Sequence, residues 1–177
     1  MATLHLISGL PCSGKTTYAA ELHAEVQGVL YCLDRWLITA FGRYTLASVG
    51  LEEHTRRVLA CRELIWGSAA EFLRRSVDVI LDDGFFYREH RMRHVALAAD
   101  TGGGTTTHFI DTPLDVVQRR LERRNADLPR YNFHVDPTIL DTFLTMFERP
   151  SLDEGADLVI VSAAASAGEN AARPARP

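Results

Sequence analysis

The sequence predicts an α/β fold in which the strands of an open sheet alternate with helices. Three observations carry this. Short apolar runs at residues 4–8, 29–33, 77–82, 105–110 and 157–161 are separated by stretches with helical spacing. The first run leads straight into Gly9-Leu10-Pro11-Cys12-Ser13-Gly14-Lys15-Thr16, which has the spacing G-x-x-x-x-G-K-[ST]. The third run ends in Asp82-Asp83, carboxylates at the end of a strand, where open α/β sheets meet their ligands.

The glycine motif is a phosphate-binding loop by its physics. Its glycines let successive backbone N–H groups turn into one concavity that holds a β-phosphate. Lys15 reaches β- and γ-oxygens, and the Thr16 hydroxyl suits Mg²⁺. The flanks fit: Leu4–Ser8 is a buried-strand run, and residues 15–26 are rich in helix formers, so a positive helix end adds to the site. The nucleotide contacts expected here are Gly9, Pro11, Cys12, Ser13, Gly14, Lys15, Thr16 and Thr17.

Composition sets bounds. A chain of 177 residues suffices for one domain with a sizeable core. Net charge of −4 disfavours a general nucleic-acid-binding surface but leaves room for a local basic patch. With neither an apolar leader nor a long apolar span, a cytoplasmic protein without membrane attachment is expected. Cys12, Cys32 and Cys61 lack paired or metal-like spacing and read as free thiols.

The second strand, Val29–Leu33, ends at Asp34-Arg35. Asp34 is a candidate for chemistry at the crevice, or the N-cap of a short helix starting at Arg35. Residues 42–50 read as a loop. Residues 51–75 form a long helix with Val58, Ile65, Trp66, Ala69 and Leu73 on its apolar stripe, which leaves Arg56, Arg57 and Arg62 in solvent. The strand over residues 77–82 has the Walker B pattern, with Asp82 preferred to Asp83 as the carboxylate beside the metal. In the turn that follows, Phe85 or Phe86 packs on a substrate ring or in the core.

Residues 87–99 read as a helix with Met92, Val95, Ala96 and Ala99 inward. His90 and His94 share an i, i+4 spacing that suits a metal, but no third ligand is evident, and solvated histidines are expected. After the fourth strand, Thr112-Pro113 opens a helix with Leu114, Val117 and Leu121 inward and Arg119, Arg120, Arg123 and Arg124 at its end. Arg120 and Arg124 share a face and suit the oxygens of a transferring phosphoryl group. Residues 125–136, with Pro129 and no periodicity, read as a lid loop, and Ile139, Leu140, Phe143, Leu144 and Phe147 face inward on the helix after it. A kinase domain over residues 1–161 is expected, and the Ala-, Ser- and Pro-rich stretch 162–177 reads as a disordered tail.

With these motifs placed, the chain resembles the small P-loop kinases of the AAA-type ATP-binding group that includes chloramphenicol phosphotransferase, zeta toxin and the kinase domain of phage polynucleotide kinase. The resemblance spans about residues 3–161 and rests on the glycine loop, Asp34-Arg35, Asp82-Asp83-Gly84-Phe85, Arg88-Glu89-His90-Arg91, the run from Arg120 to Asn125, and Phe147-Glu148-Arg149-Pro150-Ser151-Leu152-Asp153-Glu154. It implies a P-loop NTPase fold of nucleoside-kinase type, three layers α/β/α, with a five-stranded parallel sheet in the order 2-3-1-4-5 and an arginine-bearing lid. It implies that Asp34 accepts the proton of an acceptor hydroxyl, that Arg35 contacts the acceptor, and that Arg120 and Arg124 hold the γ-phosphate; Asp83 and Phe85, at the end of the third strand, are further candidate acceptor contacts. Many relatives carry serine or threonine before the aspartate, where this chain has Leu33.

The expected activity is transfer of the γ-phosphate of ATP, or alternatively GTP, with Mg²⁺, to a hydroxyl of a small molecule such as an antibiotic, a nucleoside-like metabolite or an amino sugar. The base would stack near the Arg149–Glu154 loop. The rivals are a polynucleotide 5′-hydroxyl kinase, with nucleic acid as the less favoured acceptor, and a nucleotide-hydrolysing switch with no acceptor.

Overall fold

The computed structural model describes residues 1–162. Strand β1 (Thr3–Ser8) leads through the glycine loop into α1 (Lys15–Val26), then β2 (Val29–Cys32) and α2 (Leu33–Phe41). A one-turn helix α3 (Leu46–Val49) interrupts the expected loop, closed by a capping box between Thr45 and Ser48. Next come α4 (Leu51–Arg74), β3 (Val79–Gly84), α5 (Arg88–Ala99), β4 (Gly104–Asp111), α6 (Leu114–Ala126), α7 (Pro137–Met146) and β5 (Asp157–Ser162). The five strands are all parallel, in the order β2-β3-β1-β4-β5, as the resemblance implies. Residues 163–177 of the expected tail lie outside the described residues.

Alternation along the central strands sorts the core into two layers. Leu4, Leu6, Val79 and Leu81 pack with Leu37, Cys61, Ile65, Ala69, Leu73 and Ala98 of α2, α4 and α5. Ile7, Ile80 and Ile110 face the opposite way, against Ala19 and Leu22 of α1. A small third cluster, Val117, Leu121 and Leu140, joins α6 to α7.

Several expectations need correction. The second strand stops at Cys32, and Asp34 lies inside the first turn of α2, so it is not the N-cap. On α5 the buried side chains are Arg91, His94 and Ala98, whereas Met92 is exposed. The register of that helix is set by polar partners beneath it. His90 and His94 are not solvated: they pack edge to face with each other, His90 stacks on Phe85 and His94 meets Phe85 and Trp66 edge to face. Burial beside Arg62 pulls both imidazoles down, His94 to about 4, which keeps them neutral in the core. Leu114 is exposed, because the helix axis turns only Val117 and Leu121 inward. On α7 only Leu140 is fully buried.

The entry to β2 is tight. α1 ends with Gln27 in the left-handed region, and the next residue, Gly28, packs against β3's approach. A Cβ on Gly28 would lie 2.3 Å from the Asp78 carbonyl oxygen, which accepts from Val29 N at 2.8 Å. The Asp78 side chain accepts from Thr3 N, so one residue ties the starts of three strands. Gly28→Ala is therefore expected to cost about 2 kcal/mol, as overpacking against rigid backbone does. Urea unfolding should show a lower midpoint, and an unchanged midpoint would mean that the junction yields freely.

Candidate active site

Four segments meet at the C-terminal edge of the sheet: the loop after β1, the first turn of α2, the end of β3 and the inner face of α6. The loop owes its curl to left-handed backbone at Gly9 (φ 149°), Cys12 (φ 60°) and Gly14 (φ 106°). A Cβ on Gly9 would sit 2.9 Å from Ser13 Oγ and 3.0 Å from the Ile110 carbonyl oxygen. Gly9 N donates to the Gly84 carbonyl at 3.2 Å, Thr112 Oγ1 donates to the Ser13 carbonyl at 2.7 Å, and Arg120 reaches the same carbonyl at 3.1 Å. The loop is thus anchored from β3, from the end of β4 and from α6.

Lys15 folds back over the loop and donates from Nζ to the Leu10 carbonyl at 2.6 Å. Burial lowers its pKa, against the pull of Asp82 and Asp34. Thr16 Oγ1 donates to Asp82 Oδ2 at 2.7 Å. Hydroxyl and carboxylate oxygens brought together in this way are the hard donors that Mg²⁺ takes. Among the described residues no three His, Cys, Asp or Glu side chains gather to hold a metal. Two protein oxygens completed by phosphate and water match the habit of Mg²⁺ at phosphoryl sites. Ser13 Oγ and Arg124 Nε are buried without a hydrogen-bond partner, as donors facing an anion site would be.

Asp34 is half-buried among these charges. Desolvation pushes its carboxyl up to about 6, with Asp82 adding to the rise and Lys15 and Arg124 opposing it. Asp83 is turned the other way. Its two oxygens accept from Arg62 Nε and Nη2, both at 2.7 Å, although burial still raises its pKa. Arg62 was expected in solvent. It lies three residues before Ile65 and four after Val58, on the apolar stripe of α4, and that spacing was the available signal.

Phe85, expected against the acceptor, is fully buried and stacked on His90 at 4.8 Å between ring centroids. Its φ of 43° turns the ring into the core, and its carbonyl is held by Ser8 Oγ and Arg91. Phe86 instead packs on Phe143 and Phe147.

The segment between α6 and α7 folds over the crevice. Asn125 pins it by paired hydrogen bonds to Val135, and Arg124 Nη2 donates to the Phe133 carbonyl at 3.4 Å. Across the gap Arg43 donates to the Pro129 and Arg130 carbonyls, Tyr44 meets Phe133, and Arg35 stacks over Tyr131 at 5.0 Å. On the other side of the loop a cavity of about 170 Å³ is lined by Leu10, Phe109, Asp111, Thr112, Phe147 and Arg149. Arg149 lies over the Phe109 ring and donates to Asp111 at 2.6 Å.

The family described as AAA domain matches residues 4–150. No curated protein sequence matches the chain significantly. Solved structures share the fold. An inferred kinase from Chloroflexus aurantiacus is 21% identical at a TM-score of 0.74, over 91% of this chain and 88% of that one. Kti12 from Chaetomium thermophilum, solved with ADP-AlF3, is 18% identical at a TM-score of 0.65, over 90% and 88%. A gluconokinase from Sinorhizobium meliloti is 16% identical at a TM-score of 0.55, over 90% and 82%. Among the described residues no helix is long and apolar enough to cross a membrane.

Proposed function

The chain belongs to the AAA domain family, and from that premise we propose that it is a kinase that transfers the γ-phosphate of ATP to a hydroxyl of a small molecule. One observation carries the reading: Asp34, with a carboxyl raised to about 6, shares the crevice with Lys15, Asp82 and Arg124. A carboxylate so tuned can take a proton near neutral pH. Asp34 orients the acceptor hydroxyl and receives its proton as the oxygen bonds to the γ-phosphorus. The bond to the bridging oxygen breaks, and ADP leaves. Lys15, Arg120 and Arg124 gather the charge that spreads over the transferring oxygens. Thr16 and Asp82 would hold Mg²⁺, which would supply positive charge against the nucleotide phosphates. The nucleotide lies along residues 9–17, with its base toward Arg149. Positioning and electrostatics supply the acceleration.

The test is Mg·ATP turnover against nucleosides, aminoglycosides, phenicols, amino sugars and 5′-hydroxyl oligonucleotides, with mass spectrometry to find an added phosphate. A phosphorylated acceptor is the expected result. Steady phosphate release with no adduct would sink the kinase reading in favour of a hydrolytic switch. The pH profile is a second check. Asp34 acts as a base only when ionised, so kcat/KM should be flat above neutrality and fall about tenfold per pH unit well below pH 6. A profile flat to pH 5 would remove Asp34 from the role of base.

A further inference from the structure

Three arginines at the mouth of the crevice have no role in holding ATP, and among the described residues none has a carboxylate within salt-bridge distance. They are Arg35 on α2, Arg43 just after it, and Arg130 in the lid segment. Several arginines elsewhere have carboxylate partners: Arg56 and Arg57 with Glu53, Arg62 with Asp83, Arg91 with Glu154, Arg149 with Asp111. Arg35 and Arg130 both stack on the ring of Tyr131, each at 5.0 Å, so the two like charges lie no more than about 10 Å apart. Arg43 brings a third guanidinium to the same seam by donating to the carbonyls of Pro129 and Arg130. Guanidinium groups gathered along one seam favour an anion between them.

Resting on the kinase reading, we propose that the acceptor is a phosphorylated alcohol, its phosphate group seated on Arg35 and Arg130 across the seam between α2 and the lid. Guanidinium forks match phosphate oxygens in geometry, and more than one of them suits a dianion. Arg35 follows Asp34 directly, so a phosphate bound there sets the hydroxyl end of a short acceptor near the base. The same phosphate bridges the fixed body and the lid, so a bound acceptor holds the lid in its closed position over the crevice and keeps water from the transfer. Acceptors without the group lose both effects.

The test begins with the protein saturated in Mg·AMPPNP, so that the glycine loop is filled, and titrates inorganic phosphate by calorimetry. Saturable binding is expected, weakened at least tenfold in Arg35→Gln/Arg130→Gln. It should be unchanged in Arg119→Gln, whose side chain pairs with Asp115 on the exposed face of α6. Mg·AMPPNP affinity should be the same in all three proteins, which shows that the variants are folded. No saturable phosphate binding, or equal binding by the double variant, would overturn the proposal while leaving the kinase reading intact. Acetate binding as tightly as phosphate would also overturn it, since a carboxylate would then serve. Failure of Mg·AMPPNP itself to bind would overturn the kinase reading first. In transfer assays, matched acceptors with and without a phosphate should differ at least tenfold in kcat/KM, and the double variant should erase that difference.

Discussion

Asp34→Asn is expected to lower acceptor phosphorylation by two to four orders of magnitude, the range for loss of a positioned general base, while Mg·AMPPNP affinity stays near that of the parent. The same change is expected to make the nucleotide-free protein more stable. The carboxyl titrates at about 6 in the fold against an ordinary 3.8. A raised folded pKa contributes stability that is fully present below pH 3.8 and lost as pH rises through 6. At pH 7.5 the ionised group therefore stands at its full cost, on the order of 2–3 kcal/mol. Asparagine keeps the shape and removes the charge, so the melting temperature should rise by several degrees at that pH and differ little at pH 4. A variant both inactive and less stable would mean that Asp34 serves the fold. Lost activity with gained stability is the signature of a site that holds an unfavourable charge for use.

The second large effect concerns stability alone. Glu154→Gln is expected to cost about 3–5 kcal/mol, because it leaves the buried Arg91 guanidinium without its counter-charge. Arg91 is 0% exposed, and it donates from Nε and Nη2 to the two Glu154 oxygens, both at 2.7 Å. Its Nη1 donates to the Phe85 carbonyl at 2.9 Å. Glu154 also accepts from Ser151 N, in the capping box of the short 3-10 turn Leu152–Glu154. The pair therefore fastens the loop after α7 to the loop after β3. The latter follows Gly84, whose carbonyl receives the hydrogen bond from Gly9 that anchors the glycine loop. A loss of this size is a large part of the 5–15 kcal/mol typical of a domain. The double replacement Arg91→Met with Glu154→Leu should recover most of it, since apolar isosteres often match a buried ion pair. Chemical denaturation of the two variants measures both. The neighbouring Arg88–Asp153 pair is exposed, and its removal should move the unfolding midpoint far less.

How much of this was legible in the sequence follows from the range of each interaction. The strands, the glycine loop and the long helix could be read because each is written in local period and local backbone demand. A curled loop needs glycine where φ is positive, and a central parallel strand needs an unbroken apolar run. The position of Asp34 just past the second strand and the face shared by Arg120 and Arg124 follow from the same local rules. Side-chain direction at the crevice was beyond them. Asp82 and Asp83 are adjacent in the chain and point to opposite faces of one strand; only Thr16 on one side and Arg62 on the other distinguish them. Phe85 looked available to a ligand until the turn at its own φ sent it between His90 and His94. Arg91 broke the inward pattern read for α5 because its partner, Glu154, lies 63 residues away. The sequence by itself determined the fold class, the phosphate loop and the candidate base, since these depend on spacing within a few residues. The tertiary structure alone decided which charges pair and which remain open at the seam of Arg35, Arg43 and Arg130, because the energy of a charge depends on what distant parts of the chain bring within a few ångströms of it.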